Sequence, residues 1–360
     1  MTGVGEPVQQ RHGGEREGAV FAARFARGLA LEVRHGADLA RLADDAPGRW
    51  TDALLAETRI HLAGLMNAVE QALVAGLARE PVASASAMPD TGYARQAIER
   101  DIAVLSPDLL RHLRHRACVS LLMRQYRLEG RHGDRSRLES EASDNGRYLD
   151  ALAGLALAER NWCGPMLLDA TILPDLPAEL YHDLVWTVAA LLVNGSSAQA
   201  AGADPMLTTA IARAAEGLIA RHDEGQGAIA QARRCARALN SDQRFAIAPH
   251  ALAEARLLLF AAIVECEGGI ALDEVLEALI GPQDRDRFAL LRVMGVDDPG
   301  AFQVAEMLGP VTGLAEGGDA ALVAFVESYR AFDAEQAMQW LLDRMNPREL
   351  ADKLALLDGR

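Results

Sequence analysis

The chain is nearly without lysine: of its 36 basic residues, all but Lys353 are arginine. That absence removes chemistry. A phosphate-loop nucleotidase, a protein kinase and a pyridoxal-phosphate enzyme each need a lysine inside a specific motif. Lys353 sits in ADKLALL, which fits none of them. Cysteine is scarce too. Cys118, Cys163, Cys235 and Cys266 lie far apart, so they form no metal knuckle and are too few for a disulfide framework. Aromatic residues make up only 5% of the chain, and no strand-length stretch alternates with period two. The longest apolar runs are Leu184 to Val193, broken only by Thr187, and Leu257 to Val264. Neither approaches the roughly 18 residues that span a bilayer. The start, MTGVGEPVQQRHGGEREG, is polar and lacks the apolar core of a signal peptide. Together these features predict a cytoplasmic protein with reduced thiols and no membrane partner.

What is present is helix-forming. Half of the 360 residues are hydrophobic and 24% are charged, a balance that builds a core rather than a disordered chain. Alanine, leucine, arginine and glutamate dominate, all strong helix formers. Start signals recur at Ser106-Pro107, Asp204-Pro205, Asp298-Pro299 and Asn346-Pro347. In each, a short polar side chain can accept from an orphan N–H, and proline fits the first helical position. Pro177 and Pro249 are read as opening two further helices, and Gly268-Gly269, Gly281-Pro282, Gly295 and Gly309-Pro310 as stops. The result is an all-α chain of many short helices with brief connections. The spacing predicts an array of stacked antiparallel helices, a HEAT-like or irregular α-solenoid with degenerate repeats. The runs 184–193 and 257–264 are apolar all round, so both helices are expected to be sandwiched.

Charge divides the chain. Residues 1–140 are nearly neutral, and the whole net charge of −15 belongs to the part beyond them. Residues 1–17 read as a disordered leader and 18–140 as an N-terminal helical region. Residues 141–360 read as an acidic C-terminal array, with the boundary in the polar stretch 130–145. The acidic balance repels nucleic acid.

The helix after Ser106 carries Arg111, Arg114, Arg116, Arg124 and Arg127. Arginine suits bidentate contact with carboxylates. The plain expectation is a solvated face. The functional one is an interaction surface for an acidic protein partner, or for the acidic C-terminal part, within one molecule or through self-association. On the same helix, His112, His115 and Cys118 have no carboxylate placed as a third ligand, so partly exposed histidines are expected rather than a metal site. His222, Asp223 and Glu224 end a helix and are candidate polar groups of a pocket, although no nucleophile elbow accompanies them. Trp162-Cys163-Gly164-Pro165 is thioredoxin-like in four letters, but Met166 stands where the resolving thiol would be. Gly225-Gln226-Gly227-Ala228-Ile229-Ala230 fits a loose dinucleotide fingerprint, but a helix precedes it where a strand is required. No cofactor is expected.

A longer pattern also stands out. Leu184-Val185-Trp186-Thr187-Val188-Ala189-Ala190 is followed by His222-Asp223-Glu224-Gly225 and by Arg256-Leu257-Leu258-Leu259-Phe260. Then comes Ile280-Gly281-Pro282-Gln283-Asp284-Arg285-Asp286-Arg287-Phe288, before Leu291-Arg292-Val293-Met294-Gly295-Val296. In this order they resemble a bacterial family catalogued as domain of unknown function 2336. The resemblance implies a mainly helical fold and brings no activity or catalytic residues with it. The expected function is therefore a non-catalytic interaction scaffold or adaptor. The alternative is a small-molecule sensor or enzyme with a pocket between helices.

Overall fold

In the computed structural model, residues 36–40, 42, 50–79, 92–100, 102–128, 137–163, 174–199, 204–281 and 283–345 are described. Every regular element among them is helical. The proposed leader, the Gly164-Pro165 dipeptide and the Asn346-Pro347 start signal lie outside the described residues.

Helix α1 (Asp52–Leu77) starts at Thr51, whose hydroxyl accepts from the Leu54 N–H at 3.2 Å. After α2 (Tyr93–Arg100), helix α3 (Pro107–Leu128) begins as its sequence predicts. Ser106 Oγ accepts from Leu109 N at 3.3 Å, and Pro107 takes the first helical position. A short helix, α4 (Arg137–Ser140), interrupts the expected polar loop because Leu138 is buried. Next come α5 (Gly146–Cys163), α6 (Ala178–Gln199) and α7 (Pro205–Ile219), the last capped by Asp204 as expected.

Beyond them are α8 (Ala228–Ala238), α9 (Ser241–Ala253) and α10 (Leu257–Gly268). Pro249 does not open a helix; it lies inside α9. Asn240 and Gln243 form a reciprocal capping box that starts the helix earlier, and the break falls at Ala255 with φ 55°. Two orphan donors satisfied at the start outweigh one missing N–H in the interior. The last five are α11 (Leu272–Ile280), α12 (Asp284–Val293), α13 (Asp298–Thr312), α14 (Gly318–Ala331) and α15 (Ala334–Met345). At α13 the cap is Asp297 rather than Asp298, accepting from Gly300 N at 2.8 Å. That helix also runs through Pro310 to Gly313, which ends it at φ 78°.

The packing centres on α3. Helices α1, α5, α6, α11 and α13 all touch it, so helices from both ends of the chain meet there. One hydrophobic core runs continuously across residue 140. Helix α10 is sandwiched as expected, with Leu257 to Val264 almost wholly buried. Helix α6 is not. Leu184, Val185, Val188 and Leu192 are buried, whereas Trp186 and Val193 are half-buried and Ala190 is exposed. Among the described residues, one apolar face of α6 therefore has no covering helix.

Helix α1 is long and apolar enough to cross a membrane by length and composition, with hydropathy 1.3 over its most apolar window. Searching for unbroken apolar runs passes over it, because Glu57, His61 and Glu70 punctuate the helix. All three are buried within the protein. Glu70 accepts from Gly92 N at 2.7 Å and Ala94 N at 3.1 Å, which caps α2.

Candidate functional site

Among the described arginines of α3, Arg114 and Arg116 do not face outward. Arg116 is 0% exposed and Arg114 6%. The reason is the position of α3: helices surround it, so its polar side chains must find partners inside. Arg116 Nη1 donates to Asp175, and Arg116 Nε donates to His61 Nδ1 at 3.1 Å. The guanidinium also lies over the Trp162 ring, 4.9 Å from its centroid. Trp162 Nε1 donates to the second oxygen of Asp175 at 2.8 Å. One buried cation thus ties α1, α3, α5 and the extended residues 174–177 together.

This geometry fixes the state of His61. The Arg116 Nε can only donate, so His61 Nδ1 must be the acceptor and its proton sits on Nε2. His61 Nε2 faces Glu57 Oε1 at 3.2 Å. Glu57 also accepts from Ser120 Oγ at 2.6 Å and from Arg124. Burial raises the Glu57 pKa, but hydrogen bonds from His61, Arg124 and Ser120 outweigh it and hold the carboxyl below its usual range. Burial lowers the pKa of His61, and the charge of Arg116 adds to the effect.

A second cluster joins α3 to the acidic part. Arg114 donates to Glu277 on α11, and His115 Nε2 lies 3.2 Å from the same carboxylate oxygen. Arg114 also lies 5.7 Å from the centroid of Trp50. Arg111 pairs with Asp108 and reaches Asp273 of α11 at 3.9 Å. Arg111, Arg114 and Arg116 therefore find carboxylates beyond residue 140, within one molecule, while Arg124 turns to α1. The side chain of Arg127 lies outside the described residues. The histidines are not partly exposed either: His112 and His115 are buried. Burial, then the charge of Arg116, pushes His112 down to about 3. No group of three or more metal-ligating side chains occurs among the described residues.

His222, Asp223 and Glu224 do not converge on a pocket. His222 Nε2 donates to the Leu176 carbonyl at 2.7 Å, and its ring stacks on Tyr181 at 3.9 Å. Asp223 accepts from Gly225 N at 2.9 Å. Glu224 accepts from Ala178 N at 2.9 Å, which caps α6. His222 and Glu224 hold the entry to α6, while Asp223 caps the turn Glu224–Gln226. The glycines after them lie between α7 and α8, a helix–helix connection as expected. A Cβ on Gly227 would come within 2.9 Å of the Asp175 carbonyl oxygen, so close approach rather than phosphate binding requires glycine there. Trp162-Cys163 ends α5, and both residues are buried. Burial raises the Cys118 thiol and pushes Cys235 up to about 12, so neither is a nucleophile.

The segment Gly281 to Phe288 has a structural task as well. Arg287, 1% exposed, donates to the carbonyls of Leu279 and Gly281 and to Asp284. It staples the end of α11 to the start of α12.

An open groove of about 360 Å³ lies between α6 and α7. Trp186, Ala189, Val193 and Ile211 are its apolar lining, with Asn194 and Thr208 among its polar residues. The Thr208 hydroxyl donates to the Asp204 carbonyl and that of Ser197 to the Val193 carbonyl, which leaves a mainly apolar groove with the Asn194 amide as its polar group.

Sequence reasoning passed over Glu57, His61, Asp175 and Glu277. The first two had a signal: a glutamate and a histidine four residues apart interrupt an apolar helix. Asp175, between Pro174 and Pro177 in an aperiodic stretch, had none. The fold thus defines an all-helical protein with a buried polar interior. Comparison with protein-family models, curated proteins and solved structures finds no match.

Proposed function

We propose that this chain is a cytoplasmic, non-catalytic scaffold that holds a partner protein through the groove between α6 and α7. The observation that carries the reading is the uncovered face of α6. Trp186, Ala190 and Val193 belong to a run apolar on all sides, yet among the described residues no helix covers them. Small residues at Ala189, Ala190 and Ala212 allow close approach of another backbone. The occupant that fits is an amphipathic helix of a partner, laid apolar side down. The polar groups with chemical potential support the same reading, since capping and buried pairing already use them. The stacked-array architecture belongs to this proposal too. Helices α9 to α12 each pack on the next in order, as in an irregular α-solenoid, while α8 packs most on α5 and α12 most on α15.

The test is partner capture with the intact chain, comparing Ala190→Arg and Ala212→Arg with Leu157→Arg, a surface control on α5. The proposal requires a discrete protein that both groove variants lose and the control retains, bound through a helical segment. Capture that no groove variant alters, or that Leu157→Arg abolishes equally, contradicts it. A second reading, a small-molecule sensor, draws on the groove volume, which lies within the range of ligand pockets. A rise in melting temperature with a metabolite, lost in Ala212→Arg, would favour it.

A further inference from the structure

The buried histidines of the described residues, His61, His112 and His115, cluster around α3. His61 Nδ1 accepts from Arg116 Nε, so a proton added there sets two donors face to face beside a buried guanidinium. His112 is edge-on to Trp162, with centroids 5.9 Å apart, and its Nε2 is buried without a hydrogen-bond partner. The same Arg116 holds Asp175, and Asp175 with His222 holds residues 174–177 against the core.

We infer that α3, its contact with α1 and the strap at 174–177 form an acid-sensitive latch, which opens locally when His61 and His112 take up protons. Opening hydrates both imidazoles and separates them from Arg116. It also releases the strap, because Arg116 is the shared partner.

The titratable and charged groups on the elements packed around these histidines account for the direction of the response. Helix α1 supplies Glu57, already engaged by Ser120 and Arg124. Helix α3 itself supplies Arg114, Arg116 and Arg124. From α5 come Trp162, which donates to Asp175, Cys163, and Glu159, which is paired with Arg256. Helix α11 supplies Asp273 and Glu277 beside His115. On α6, Asp183 accepts from Ser106 at 2.6 Å. On α13, Asp298 pairs with Arg330, and Glu306 is exposed. Glu277 can compensate a proton on His115, but His112 is faced by Arg116, His115 and His61. Helix α10 is built from Leu257 to Val264 and has no such cluster, so it stays closed.

The test is hydrogen exchange of the full chain at pH 7 and pH 5, corrected for the intrinsic pH dependence of exchange. The opening constant of α3 and of the Tyr181 amide, which donates to the Pro177 carbonyl at 2.9 Å, should rise roughly 25-fold for each histidine that gains a proton on opening. Peptides of α10 should not change. His112→Phe keeps the ring edge against Trp162 and loses no hydrogen bond at Nε2, so it should fold and lose one factor of roughly 25. Three results would overturn the latch: α3 unchanged by acid, α3 and α10 opening together, or a full acid response in a folded His112→Phe protein. If His112→Phe does not fold, the wild-type comparison of α3 with α10 decides alone.

Discussion

Arg116 has no access to water, and Asp175, the His61 acceptor and the Trp162 face balance its charge inside the protein. Removing one member of such a set leaves the others buried and unpaired, which typically costs about 3–5 kcal/mol. Arg116→Met should therefore lower unfolding stability by about that amount in urea titrations. Arg111 is different: its side chain is 30% exposed and its nearest partner is an exposed aspartate one turn away. Arg111→Met should change stability by no more than about 0.5 kcal/mol. Equal losses at both positions would mean that burial does not separate them. The two arginines look alike in sequence because α3 is amphiphilic without a clear face. Only the surrounding helices decide which one lies inside.

At the scale of elements, two close contacts govern packing. A Cβ added at Gly195 on α6 would overlap the Tyr93 ring of α2. Gly195→Ala should thus cost about 1–3 kcal/mol by overpacking, measured by denaturant titration, and Tyr93→Ala in the same chain should return part of it. The staple at Arg287 is the other. Arg287→Met leaves the Leu279 and Gly281 carbonyls unsatisfied, at about 1–3 kcal/mol each, and exchange protection at the α11–α12 turn should fall first. Helix starts at Ser106 and Asp204 were legible because capping is local chemistry. The Pro249 start was not, since the Asn240–Gln243 box competes with it at a distance no single dipeptide reveals. The uncovered face of α6 was illegible for a further reason. An apolar helix announces that it wants neighbours, and not whether the chain supplies them. His222, Asp223 and Glu224 were visible as a polar cluster, but the use of His222 and Glu224 depends on Leu176 and Ala178 arriving from elsewhere in the chain.

For the whole molecule, charge is organised from the inside. The near-neutral N-terminal region carries arginines that take carboxylates from the acidic remainder, so the charge asymmetry of the sequence becomes an internal join. Acid should weaken it. His61, His112 and His115 have folded pKa values below the unfolded value near 6.5. The unfolded chain therefore binds more protons, and stability is fullest above about pH 6.5. It declines as pH falls, by about 1.4 kcal/mol per pH unit for each such histidine, until the folded value is reached, about 3 for His112. The depressed Glu57 adds a loss of the same sign below its ordinary range. Melting temperatures measured from pH 7 down to pH 4 should fall steadily; a flat profile would show that these histidines titrate as freely folded as unfolded.

The central claim is that α3 holds the acidic part of the chain through arginine–carboxylate pairs, fully buried at Arg116–Asp175 and partly buried at Arg114–Glu277. A double-mutant cycle on Arg114 and Glu277, read by urea unfolding of Arg114→Met, Glu277→Met and the double variant, tests it most directly. Each single change should be costly and the double change much less than their sum, with a coupling above about 1 kcal/mol. Additive losses within about 0.5 kcal/mol would show that the two residues do not hold each other, and the account of α3 as the internal join would fail.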